Sequence, residues 1–274
     1  MYKIIFLFLF IPALSSAQEL YVFSEPASNM PSQSVGVRQS LKTVFDNNTR
    51  DPSFRHNTDI MFGVNKNLML HAGFGFSDMY SKRTQFESVR FYAKYRFFSQ
   101  DAIKKHFRMA AFGEVSHSVN RPTYEELSVE GDQSGFRCGL IATQLLHKLA
   151  LSATVSNIQV MQKERWNKSL SAIAPFQAID YSLSAGYLVL PKTYTSYKQT
   201  NLNLYLEVLG QQVTDRKSYF IDIAPAAQLI FSSSIKFNMG YRWQIAGNAN
   251  RMALDGLFIS GEILFLNALR KQRE

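Results

Sequence analysis

The chain has 274 residues, 46% of them hydrophobic and 14% aromatic, and a formal net charge of +9. Beyond a block near the start, no stretch supplies the roughly twenty apolar residues of a membrane-spanning helix. The single cysteine, Cys138, excludes a fold tied by internal disulfides.

Met1-Tyr2-Lys3 is followed by an apolar block from Ile4 to Leu14 and by Ser15-Ser16-Ala17, a small-residue cleavage site. Residues 1–17 are therefore expected to be a signal peptide removed on export. Gln18, where a lipoprotein has cysteine, leaves no thioether lipid as an anchor. Residues 18–34 carry Pro and Ser without periodicity and read as a periplasmic N-terminal segment or a short plug.

From residue 35 onwards the pattern changes to strict alternation. Val35 to Phe45 places Gly36, Arg38, Ser40 and Lys42 on a polar face, and turn formers follow at Asp46 to Pro52. Ile60, Phe62 and Val64 close a second strand, and Asn65-Lys66-Asn67 turns it into Leu68, Leu70, Ala72, Phe74 and Phe76. Glu87 to Phe98 alternates Val89, Phe91, Ala93, Tyr95 and Phe97 with Arg90, Lys94 and Arg96. A basic connection is expected at Ser99 to His106, and then Phe107, Met109, Ala111 and Val115 face away from Arg108 and Glu114. After an acidic loop at Asn120 to Gln133, Cys138 falls in phase with Phe136 and Leu140 on the greasy face. His147-Lys148 turns into Leu149 to Val155, and a loop holding Lys163 to Lys168 precedes Ile179 to Val189, which Pro191 ends. Leu202 to Val208 forms the ninth strand.

The clearest stretch is Tyr219 to Ile245. Its odd positions up to Phe231, and again from Ile235, are all apolar or aromatic, while Asp222, Gln228, Lys236, Asn238, Arg242 and Gln244 lie between them. The period is that of a strand, and each arm is long enough to cross a bilayer obliquely. Leu257 to Phe265, opposite Ser260 and Glu262, completes about twelve strands.

An even strand count, short connections on the side of the termini and longer ones opposite predict an all-β fold over residues 35–274, a transmembrane antiparallel up-and-down β-barrel. In hydrocarbon an unpaired backbone amide costs several kcal/mol, so the first strand must close on the last. Tyr95, Tyr181, Tyr187, Tyr241 and Trp243 are placed to form aromatic girdles.

With the greasy face outside, the lumen receives Arg38, Lys42, Arg90, Lys94, Arg96, Arg108, Lys236 and Arg242, against Glu114, Asp222 and Glu262 among the acids. This pattern fits a narrow channel for small solutes with a weak anion preference. The alternatives are a structural or ligand-binding barrel whose interior charges pair with one another, a copper-type metal-handling barrel and a surface hydrolase. Met61 opposite His71, with Met69 nearby, offers thioether and imidazole groups suited to a soft ion. Met is equally a filler of irregular gaps. His117 between Ser116 and Ser118, near Glu125 and Glu126, is the nearest approach to a hydrolase group, but neighbours in a strand point to opposite faces. No cofactor motif and no enzyme signature is present.

Glu19 to Pro31, together with Gly63-Val64-Asn65-Lys66-Asn67-Leu68-Met69-Leu70-His71, resembles a poorly characterised family of bacterial outer-membrane β-barrel proteins, a likeness covering the first quarter of the chain. The resemblance implies the fold and the cell outer membrane, hints at metal handling and carries no catalytic residues. The expected partners are outer-membrane lipid and lipopolysaccharide, small solutes and the barrel-insertion machinery, with no nucleic acid.

Overall fold

The computed structural model describes residues 21–47, 49–81, 83–103, 105–162, 175–193 and 199–270. The expected signal peptide and the loop carrying Lys163 to Lys168 lie outside these residues.

Twelve strands follow one another: β1 (Ser34–Phe45), β2 (Pro52–Gly63), β3 (Leu68–Ser77), β4 (Gln85–Ala102), β5 (Lys105–Ser118), β6 (Gly135–Leu146), β7 (Leu149–Val160), β8 (Gln177–Leu190), β9 (Asn201–Val213), β10 (Tyr219–Phe231), β11 (Ile235–Gly247) and β12 (Asp255–Phe265). Each pairs antiparallel with its sequence neighbours, and β1 closes on β12 from Val35↔Phe265 to Val44↔Gly256. Closure leaves no strand edge, which is the condition for placing a sheet in hydrocarbon.

Alternation then sorts the side chains. On β10 and β11, Tyr219, Phe231, Ile235, Phe237, Met239, Trp243 and Ile245 are exposed on the outside, whereas Asp222, Gln228, Lys236 and Asn238 are buried inside. The same division holds on β3, where Leu70, Phe74 and Phe76 are exposed while Met69 and Ser77 are buried. An apolar exterior around a polar interior is the distribution of a barrel standing in lipid, and it inverts that of a water-soluble fold. Cys138 is exposed on this outer face. Tyr95 and Tyr187 stand near the turns on the side of the termini, paired with Leu68 and Leu149, while Tyr241 and Trp243 stand near the opposite rim, paired with Leu257 and Asp255.

The turns on the side of the termini have local causes. Asn65 Oδ1 accepts the amides of Asn67 and Leu68 at 2.8 and 2.9 Å, an Asx turn that fixes the β2–β3 register. His147, Ser232 and Ser233 adopt φ of 56°, 48° and 57°, the left-handed geometry that tight hairpins demand.

Two expectations are corrected. Ser99 to His106 is mostly strand: Ser99, Gln100 and Asp101 pair with Arg108, Phe107 and His106 after a bulge between Arg96 and Phe98. That bulge puts both Phe97 and Phe98 outside and breaks the alternation on which the strand's end was read. The connection after Pro191 is not brief, since β9 begins only at Asn201. The remaining turns on that side, residues 64–67, 103–104, 147–148 and 232–234, are short, and residues 119–134 and 161–176 make long connections on the other.

Candidate solute pathway

Three layers fill the barrel. At the end holding the termini, residues 21–31 run through the lumen. Glu207 of β9 accepts the amides of Val22 and Phe23 at 2.9 Å and that of Ser24 at 3.0 Å, and the Ser24 hydroxyl donates to it at 2.7 Å. Lys94 of β4, fully buried, donates to Glu25 at 3.2 Å and to the carbonyls of Pro26 and Ser28 at 2.7 and 2.9 Å. Those three bonds use every hydrogen of the ammonium group. Ala27 donates its amide to Thr143 of β6 at 2.9 Å, and Arg108 of β5 donates to the Ser28 hydroxyl at 2.8 Å. Tyr21 meets Tyr205 edge-on at 5.7 Å, and Phe23 packs 5.5 Å from Phe258.

At the far end, the β5–β6 connection folds inward. Leu127 and Gln211 exchange two hydrogen bonds of 2.8 and 2.7 Å, and Leu127 and Val129 pack with Ile158, Val160 and Phe176. Arg251 lies between Glu126 and Asp222, giving Glu126 bonds of 2.9 and 3.1 Å and Asp222 bonds of 2.8 and 2.9 Å. Arg242 joins both acids. Arg55, 1% exposed, donates to Glu87 at 2.6 and 2.8 Å and to Asp132 at 2.6 Å. Burial acts to raise the Glu126 carboxyl, but Arg251 and Arg242 hold it well below the usual range. Glu130 is likewise raised by burial yet held at about 2 by Arg90, Lys42, Arg137 and Arg55.

Between these layers lies a chamber of about 330 Å³. Cross-strand ion pairs form much of its wall. Glu262 accepts from Arg38 at 2.9 Å and from Lys236 at 2.5 Å, linking β1, β12 and β11. Arg90 reaches across Gly73 to Asp59 at 2.7 Å and lies 3.7 Å from Glu114, which also accepts from Arg137 at 2.7 Å. Gly73 makes room for this crossing, because a Cβ there would lie 2.5 Å from the Asp59 carboxylate and 2.6 Å from Arg90 Nε and would push those side chains aside. Lys42 also lines the chamber and has no ion-pair partner within 4.0 Å among the described residues.

The lumen charges read from the sequence thus fall into separate groups. Arg38, Lys42, Arg90, Glu114 and Arg242 line the chamber. Lys236 and Glu262 are buried in its wall, Asp222 in the far constriction, and Lys94 beneath the N-terminal segment. Arg96 and Arg108 belong to the rim near the termini, where Arg96 donates to the Lys66 carbonyl at 2.7 Å and Arg108 to Asp101 at 3.0 Å. Glu25, Arg55, Glu126 and Arg251 carry much of the interior network yet were not singled out as lumen charges. Glu25, Glu126 and Arg251 lie in segments without strand periodicity, and only Arg55, within β2, had an alternation signal.

Met61 pairs with His71 and Gly63 with Met69, as the short turn requires. Met61 and Met69 are buried, and His71 lines the chamber with its ring 5.0 Å from Tyr92. Among the described residues no three His, Cys, Asp or Glu side chains gather as a metal site would. His117 is exposed, whereas Ser116 and Ser118 turn inward to donate to the carbonyls of Gln133 and Gly131.

A closed antiparallel twelve-stranded barrel with an apolar exterior and a charged interior has the architecture of outer-membrane β-barrels. The chain is similar in structure to the COG4313 outer membrane channel from Pseudomonas putida F1, with a TM-score of 0.58 and 13% identity over 89% of this chain and 100% of that one. It is also similar to the NanC porin, with a TM-score of 0.50 and 10% identity over 85% of this chain and 100% of that one. At these identities the likeness is one of fold. No protein-family model and no curated protein matches the sequence.

Proposed function

We propose that this protein sits in the bacterial outer membrane and is a narrow channel for small solutes, with a weak anion preference. The observation that carries the reading is the chamber of about 330 Å³, walled by charged and apolar side chains together, inside a barrel whose outer wall is apolar. A barrel that only reinforced the envelope has no need of such a space, since a lumen of this size can be filled by side chains.

The lining itself mixes basic and acidic side chains, so the preference for anions is assigned to the rim near the termini. There Lys66, Lys105 and Lys192 are exposed, with Arg96, Arg108 and Lys148 close by, and Asp101 is the acid among them. A basic mouth raises the local concentration of anions without binding them tightly. The second reading, an envelope barrel without an open pore, is favoured by the paired interior charges and by the segment at residues 21–31.

Swelling of proteoliposomes in isotonic solutes tests the reading. Uptake should favour small solutes, with monocarboxylates entering faster than amines of equal size, and Lys66→Gln with Arg96→Gln should narrow that difference. No swelling by a folded barrel in any small solute would leave the envelope reading standing.

A further inference from the structure

We propose that the lumen wall carries a specific binding site for a bent polypeptide segment, occupied here by residues 22–28 of the chain itself, so that this segment is a displaceable plug. The inference rests on the channel reading for its consequence, the closing of a solute path, but not for the binding itself.

The wall presents the elements of peptide recognition in order. One carboxylate, Glu207, takes three consecutive amides, and one ammonium, Lys94, takes two carbonyls and the side chain of Glu25. Both side chains are fully buried, and neither has another ion-pair partner among the described residues. Without the segment, each loses these partners, and only water entering the lumen can replace them. The wall is also shaped to the segment. Gly240 stands where a Cβ would lie 2.6 Å from the Phe23 ring, and Gly186 admits Tyr205 against Tyr21. Glycine in mid-strand weakens a sheet and marks close approach, here of the plug's own side chains.

The attachment is nevertheless reversible in kind. It consists of hydrogen bonds, one ion pair of 3.2 Å, a looser one of 3.5 Å from Arg38 to Glu25, and ring contacts, and it includes no ladder pairing with any strand. A segment held by the side chains of the wall, without ladder pairing, withdraws without opening the barrel. A free peptide of the same sequence competes for the same wall.

The test uses the full chain carrying Glu25→Lys, which turns an attraction to Lys94 and Arg38 into repulsion and leaves the wall intact. Folding is confirmed by the gel mobility of the unheated barrel. A fluorescent peptide of residues 21–31 should bind this variant saturably, with at least tenfold higher affinity than it shows for the unaltered chain, whose site is filled. The same peptide carrying Glu25→Lys should not bind. Ser24→Pro, which removes two of the bonds to Glu207, serves as the second variant if Glu25→Lys does not fold. Equal binding to altered and unaltered chains, or binding to neither, overturns the proposal. Conductance separates this proposal from the channel reading. Steps that appear in the variant and close on adding peptide support both, whereas peptide binding with electrical silence keeps the site and removes the channel.

Discussion

Arg55 shows how much a single side chain contributes to the interior. It is 1% exposed and shared by Glu87 and Asp132 at 2.6 to 2.8 Å, while Ser77 and Asn120 complete the bonding of Glu87 at 2.9 and 2.6 Å. Arg55→Met leaves two carboxylates facing each other, so it should cost about 3–5 kcal/mol of stability, read from urea unfolding in detergent micelles. Arg50 makes two bonds of 2.8 Å to Asp255, but it is exposed and solvent screens the pair. Arg50→Met should therefore leave the unfolding midpoint nearly unmoved, and equal losses at the two sites would contradict this view of the interior. Gly73 makes a complementary case. Gly73→Val forces Arg90 away from Asp59, and a loss of about 1–3 kcal/mol is expected for such overpacking.

Among the elements, the inward β5–β6 connection is fixed by two devices, the paired bonds of Gln211 with Leu127 and the acids Glu126 and Glu130 set among arginines. Gln211→Leu removes the first and should make residues 126–133 cleavable by added protease while the strands stay protected. The second device depends on pH. Glu130 titrates at about 2 in the fold against an ordinary 4.5, so its contribution is complete above the ordinary value and is lost as pH falls through the folded one. The thermal midpoint should stay level in this respect from pH 8 to 5 and drop between pH 4.5 and 2, and Glu130→Gln should lessen the drop. A Glu130-dependent fall between pH 8 and 6 would point to another cause.

These elements also mark how far the sequence was legible. The outer faces of β10 and β11 could be read residue by residue, because lipid outside selects an apolar side chain at every second position. The register of Met61 with His71 followed from the turn at Asn65 for the same reason. The bulge beyond Arg96 was not legible, since one added residue inverts the faces that alternation reports. The contents of the lumen were largely hidden. Val22 to Ser24 reach Glu207 across more than 180 positions and have no periodicity of their own, and Glu126 meets Arg251 between two irregular loops. Alternation reports the inward face of a strand as far as its first bulge, whereas only three-dimensional closure shows which charges meet and which are met by the chain's own start.

For the whole molecule, the parts describe a barrel with an apolar wall, a chamber near its middle and a packed segment at each end. Its interior charges are mostly paired, some across neighbouring strands and others, such as Arg90 with Asp59 and Arg55 with Glu87, between β2 and β4 across β3. The proposed anion preference is assigned to the basic rim near the termini, where Lys66, Lys105 and Lys192 are exposed. The measurement that bears most directly on this account is single-channel conductance of the refolded full chain in a planar bilayer, with the reversal potential taken across a KCl gradient. The account predicts small, resolved steps with a weak anion preference, more frequent in Glu25→Lys and less anion-selective in Arg96→Gln. Electrical silence from both the unaltered chain and Glu25→Lys, each shown to be folded, would contradict it.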